Sequence, residues 1–142
     1  MTRFTAICAA SLALAACSAA HDASLPGDSE DDQPLATIGA DEVVYLTGTE
    51  PFWGGQIAGE LLTYTTPENQ AGQRLAVTRF AGRGGLSFSG QADGDNIDIA
   101  ITPAPCSDGM SDRTYPYNVT LQWGVEQRTG CGWTDAQPHS GG

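Results

Sequence analysis

Beyond residue 40 the chain alternates apolar and polar residues with a period of two. In the run Asp95 to Thr102, Ile97, Ile99 and Ile101 fall on one side and Asp98, Ala100 and Thr102 on the other. Tyr115, Tyr117, Val119, Leu121 and Trp123 alternate in the same way with Pro116, Asn118, Thr120 and Gln122. This is the periodicity of strands with one face in a core. Val43 to Leu46, Gln56-Ile57, Leu61 to Tyr64, Arg74 to Phe80, Leu86 to Ser89 and a short last segment holding Cys131 and Trp133 read as further strands. Gly59, Gly82-Arg83-Gly84-Gly85 and Asp93-Gly94 punctuate them as turns. No segment carries a helical repeat of useful length. The pattern predicts an all-β domain over residues 41–134, a small meander β-barrel of seven or eight strands. Closure suits so short a chain, because a barrel leaves no strand edge unpaired.

The flanks read differently. Arg3 leads into an apolar run from Phe4 to Leu14, too short to span a bilayer, and Leu14-Ala15-Ala16-Cys17 has the form of a lipobox. Residues 1–16 are expected to leave as a lipoprotein signal peptide, with Cys17 lipidated. An ordinary secretory signal cut near Ala16 or Ala20 is the alternative. Acyl chains at Cys17 would hold the domain on a membrane, each buried methylene contributing roughly 0.8 kcal/mol. Residues 17–40, with Asp28, Glu30, Asp31 and Asp32, read as an acidic disordered tether. Residues 135–142 read as a flexible tail.

Charge narrows the partners. Seventeen acidic against six basic residues give a net charge of −11, and lysine is absent. Nucleic acid is excluded as a partner, because phosphate binding needs a basic face. Contact with membrane would come through the lipid. The only histidines are His21 in the tether and His139 in the tail, so the strand region offers no imidazole for a Ser-His-Asp triad or a zinc site. An enzyme here would have to use carboxylates such as Glu50 with Asp108 or Asp112. Asp93-Gly94-Asp95-Asn96 with Asp98 spaces oxygen ligands as calcium would need, but a plain Asp-Gly hairpin accounts for it more simply. No catalytic role, metal or cofactor is expected. Of the four cysteines, Cys106 and Cys131 remain for the folded domain. In an oxidising compartment they read as a disulfide, with thiolate metal binding or redox exchange as the functional alternatives.

Two stretches carry more than periodicity. One is Gly48-Thr49-Glu50-Pro51-Phe52-Trp53, the other Cys106-Ser107-Asp108-Gly109-Met110-Ser111-Asp112-Arg113-Thr114-Tyr115-Pro116. With Gly130-Cys131-Gly132 they resemble an uncharacterised family of small bacterial envelope lipoproteins, over roughly Thr47 to Trp133. That resemblance implies an exported β domain and no particular activity. A weaker likeness to META-type and lipocalin-like lipoprotein barrels concerns fold alone.

In the first motif, Phe52 and Trp53 either plug a barrel end or line a pocket mouth. Glu50 then either ties down an arginine or backbone amides, or orients a polar ligand group. In the second, Asp108, Asp112 and Arg113 either fix the loop through Asp-to-backbone and Asp-Arg bonds or present a rigid binding surface. The expected protein is therefore an outer-membrane lipoprotein facing the periplasm, a non-catalytic binding module for a small ligand or an envelope protein. Its contact residues would be Glu50, Phe52, Trp53, Asp108, Asp112 and Arg113. An acidic inhibitor or shield against a cationic protein such as lysozyme is the alternative, followed by a carboxylate-based hydrolase.

Overall fold

Eight antiparallel strands in simple up-and-down order close on themselves in the computed structural model, which describes residues 37–142. They are β1 (Val44–Gly48), β2 (Gly54–Ala58), β3 (Leu61–Thr66), β4 (Asn69–Ala81), β5 (Leu86–Ala92), β6 (Asp95–Cys106), β7 (Tyr115–Trp123) and β8 (Glu126–Thr134). Each pairs with the next, and Val44 to Gly48 of β1 pair with Thr134 to Gly130 of β8 to seal the barrel. The expected signal peptide, Cys17 and the expected tether as far as residue 36 lie outside the described residues.

Period-two alternation decides what fills the barrel. Ile97, Ile99 and Ile101 stand across from Trp123, Leu121 and Val119, and all but Trp123 are buried. Val44, Leu46, Ile57, Leu62, Leu75, Val77, Leu86, Phe88 and Tyr117 complete one continuous core. Eight strands enclose room for such side chains or for one small ligand, and here the inward side chains gather into one apolar core that occupies it. The outward positions are polar: Thr78 stands beside Ser89, Ser89 beside Asp98 and Asp98 beside Gln122. Apolar inside and polar outside is the reverse of a membrane-spanning barrel wall.

The turns follow local chemistry. Asp93 and Gly94 both have positive φ, 55° and 89°, and form a two-residue hairpin between Ala92 and Asp95. Such turns match the twist of the flanking strands. Of the acidic side chains there, Asp93 accepts from Gln73 Nε2 at 3.4 Å and Asp98 from Ser89 Oγ at 2.7 Å.

Two boundaries differ from the sequence pattern. β6 continues past Thr102 to Cys106 through a register shift between Pro103 and Cys106. β8 begins at Glu126, well before Cys131. Its inward positions hold Arg128, Gly130 and Gly132, so it has no apolar alternation to read. A Cβ on Gly130 would stand 2.4 Å from the Thr47 carbonyl oxygen, so β8 passes tight against β1 there.

Both flanks of the domain are pinned. Ile38 is buried in the core although the tether was expected to run to residue 40, and Arg79 Nη2 donates to its carbonyl at 2.8 Å. At the other terminus Ser140 bridges Thr114, and His139 packs edge-on against Tyr115 and Trp133. Gln137 Nε2 donates to the Thr37 carbonyl at 2.7 Å, tying the two flanks together. The terminal segment is thus attached at several points where fraying was expected.

Candidate functional site

The first motif is built around one indole. After β1 the chain turns so that Trp53 lies across Gly48, where an added Cβ would meet the ring at 1.9 Å. Only glycine leaves that space. Trp53 is 5% exposed, donates from Nε1 to the Thr129 carbonyl at 3.3 Å and stacks on Tyr64 with centroids 5.9 Å apart. The indole therefore plugs the barrel end. Phe52, next to it, is 47% exposed. Glu50 is exposed and stands apart from the one ion pair among the described residues, which joins Arg128 and Glu126.

The second motif is a loop folded around Asp108. This carboxylate is nearly buried and accepts four hydrogen bonds: from Met110 N at 3.0 Å, Ser111 N at 2.8 Å, Ser111 Oγ at 2.8 Å and the Tyr115 hydroxyl at 3.1 Å. The backbone bonds above all hold its pKa well below the ordinary carboxylate range, because each stabilises the charged form. Cys106 and Cys131 are disulfide-bonded, with Cα atoms 5.6 Å apart, and fasten the loop to β8. Tyr115 and Trp133 pack around that bond as a small second core. The Asp-to-backbone network is present. The Asp-Arg pairing is not: Asp112 and Arg113 are both exposed and form no ion pair among the described residues.

The two motifs meet. A shallow groove of about 290 Å³ is lined by Gly48, Phe52, Trp53, Thr65 and Pro67, with Met110 from the second motif. Residues some sixty positions apart thus share one surface, and Met110 brings a 62%-exposed apolar side chain to it. Of the residues singled out in the sequence, Phe52 and Trp53 line this groove. Asp108 supports the loop that delivers Met110, and Glu50, Asp112 and Arg113 are outside the lining.

An adjoining groove of about 450 Å³ shares Thr66 with the first and holds Tyr64, Asp95, Trp123, Glu126 and Arg128. Nothing in the alternation of β8 marks Arg128 as more than a surface cation. Its place across from the fully buried Leu121 puts it on the inward face at the barrel end. Its guanidinium carbon lies 5.9 Å from the centre of the Tyr64 ring. Nη1 donates to the Tyr64 hydroxyl and Nη2 to Glu126 Oε2 at 2.7 Å. The Glu126 bond is the main reason Arg128 holds its proton more firmly than usual. Burial raises the Tyr64 hydroxyl above its ordinary range, against the opposing pull of Arg128. Tyr64 also meets Trp123 edge-on at 5.2 Å, so Trp53, Tyr64 and Trp123 form an aromatic chain beneath both grooves.

Chemically this rim can stack apolar groups and pair with an oxyanion. A third groove of about 430 Å³, between Pro103, Pro105, Tyr115, Pro116 and Pro138, is lined without a charged side chain. Among the described residues no three His, Cys, Asp or Glu side chains are grouped as a metal would need. No protein-family model, curated protein or solved structure matches the chain.

Proposed function

We propose that the protein is an exported envelope lipoprotein, anchored by Cys17 to the periplasmic face of the outer membrane, whose barrel rim binds a small ligand or an envelope partner without catalysis. The lipobox and the resemblance of both motifs to small envelope lipoproteins support the location. One observation carries the function: two separate motifs converge on the groove between Phe52, Trp53 and Met110, above an interior already filled with side chains. Exposed apolar side chains gathered on a stiff scaffold mark a contact surface more often than they serve stability.

The carboxylates support a non-catalytic role. Asp108 spends its lone pairs on four donors and stays ionised, so it is poorly suited to pass a proton. Glu50 is solvent-exposed and outside the lining of both rim grooves.

The test is native mass spectrometry of the protein recovered gently from its own envelope, beside a Phe52→Ala/Met110→Ala variant. Neither side chain belongs to the buried core, so the variant is expected to keep the fold. A reproducible added mass in the wild type, lost in the variant, is the expected result. An added mass that survives both substitutions sinks the groove as the binding surface.

A further inference from the structure

We propose that the Nε–Nη2 edge of Arg128 is a carboxylate-binding subsite, held in this structure by the protein's own Glu126, and that its ligand is a small monocarboxylate with an apolar body. The inference rests on the reading of the rim as a small-molecule surface but concerns the adjoining groove.

Arg128 is placed rather than free. Its strand position faces inward, its side chain is 22% exposed, and Tyr64 holds it through both a hydrogen bond and the face of its ring. That leaves one edge of the guanidinium for another partner. A carboxylate matches two parallel N–H groups of arginine at once. Glu126 uses only one: Oε2 accepts from Nη2, while Nε is buried and has no acceptor. A buried donor without a partner is costly, so a ligand that reaches both nitrogens recovers what Glu126 leaves unmet.

Glu126 is also easy to displace. It is 64% exposed and two residues from Arg128 on the same strand, and exposed ion pairs contribute little. Once it swings out, Trp123 and the fully exposed Val125 offer apolar surface beside the charge. A groove of about 450 Å³ suits a small molecule. Asp95 and Glu126 at its border oppose a second negative charge on the ligand, which selects a monoanion over a phosphate.

Hexanoate is the probe, with hexanol as the uncharged control, followed at the Trp123 indole N–H by NMR on the protein as the cell processes it. Glu126→Gln removes the internal competitor and should tighten hexanoate roughly two- to five-fold, the range an exposed ion pair accounts for. Arg128→Gln should weaken it at least about tenfold, as loss of a charged hydrogen-bonding partner does. Arg128→Gln also strips Tyr64 of its donor, so the deciding variant is Glu126→Gln, whose side chain supports little else. Unchanged or weaker binding in Glu126→Gln, binding of hexanol as tight as hexanoate, or no hexanoate response at all would overturn the proposal. Loss of hexanoate in Phe52→Ala/Met110→Ala without a gain in Glu126→Gln would move the ligand to the neighbouring groove. That outcome overturns this subsite and leaves the broader reading standing. Tightening in Glu126→Gln with no effect of the other pair does the reverse.

Discussion

Asp108 shows how one side chain can be a motif without being a reactive group. A carboxylate in a loop invites a catalytic or ligand-binding reading, yet its partners are Met110, Ser111 and Tyr115, within seven residues of it. Its folded pKa lies below that of the unfolded chain, so the unfolded chain takes up the proton first as pH falls. The stability it contributes is therefore complete above the ordinary Asp range near pH ~4 and drains away below it. Thermal melts between pH ~7 and pH ~3 should show Asp108→Asn less stable than wild type at neutral pH, with the gap closing on acidification. A gap that stays constant with pH would mean the charge on Asp108 contributes nothing. Gly48 carries the complementary lesson in shape. It matters for the atom it lacks, since the Trp53 ring occupies the place of its Cβ.

At the scale of elements, the loop from Cys106 to β7 is where the fold depends on more than alternation. It carries Met110 to the rim only because the Cys106–Cys131 bond and the Asp108 network hold its base. The bonded cysteines are 25 residues apart, and a cross-link of that span stabilises by roughly 3 to 4 kcal/mol on the chain-entropy estimate. Replacing both cysteines by serine should lower the melting temperature accordingly. It should also speed amide exchange at Met110 and Ser111 more than at Ile99, measured by hydrogen exchange. Equal acceleration at all three would place the bond in the barrel's global stability instead. The strands themselves were legible because Ile97, Ile99, Ile101 and the β7 aromatics keep a strict two-residue rhythm. β8 looks short in the sequence because Arg128, Gly130 and Gly132 occupy its inward positions, and only cross-strand register shows that they face the core. The Arg128 groove was illegible for the same reason. Thr66, Asp95, Trp123 and Arg128 come from the ends of four strands, and no local pattern records that barrel closure brings such ends together.

For the whole molecule, the deciding fact is that the barrel is closed and full. Barrels of eight strands lie near the size at which side chains just fill the interior, and some relatives in shape leave room for a ligand. Here Ile97, Ile101, Leu62 and Leu121 are wholly buried from opposite walls, and Trp53 and Ile38 are buried in the same core. On this packing an apolar guest is expected to find no volume inside the barrel, which leaves the rim as the proposed place of binding. Removing part of the filling tests this. Leu121→Ala should cost about 2 to 5 kcal/mol, the usual range for emptying a packed aliphatic site. A dry apolar void of that kind binds small hydrophobes. Benzene should therefore raise the melting temperature of Leu121→Ala and leave that of the wild type unchanged. The same benzene response in both proteins would reveal a chamber already present in the native barrel. Ligands would then be sought inside it, and the rim grooves would become its entrance rather than the site.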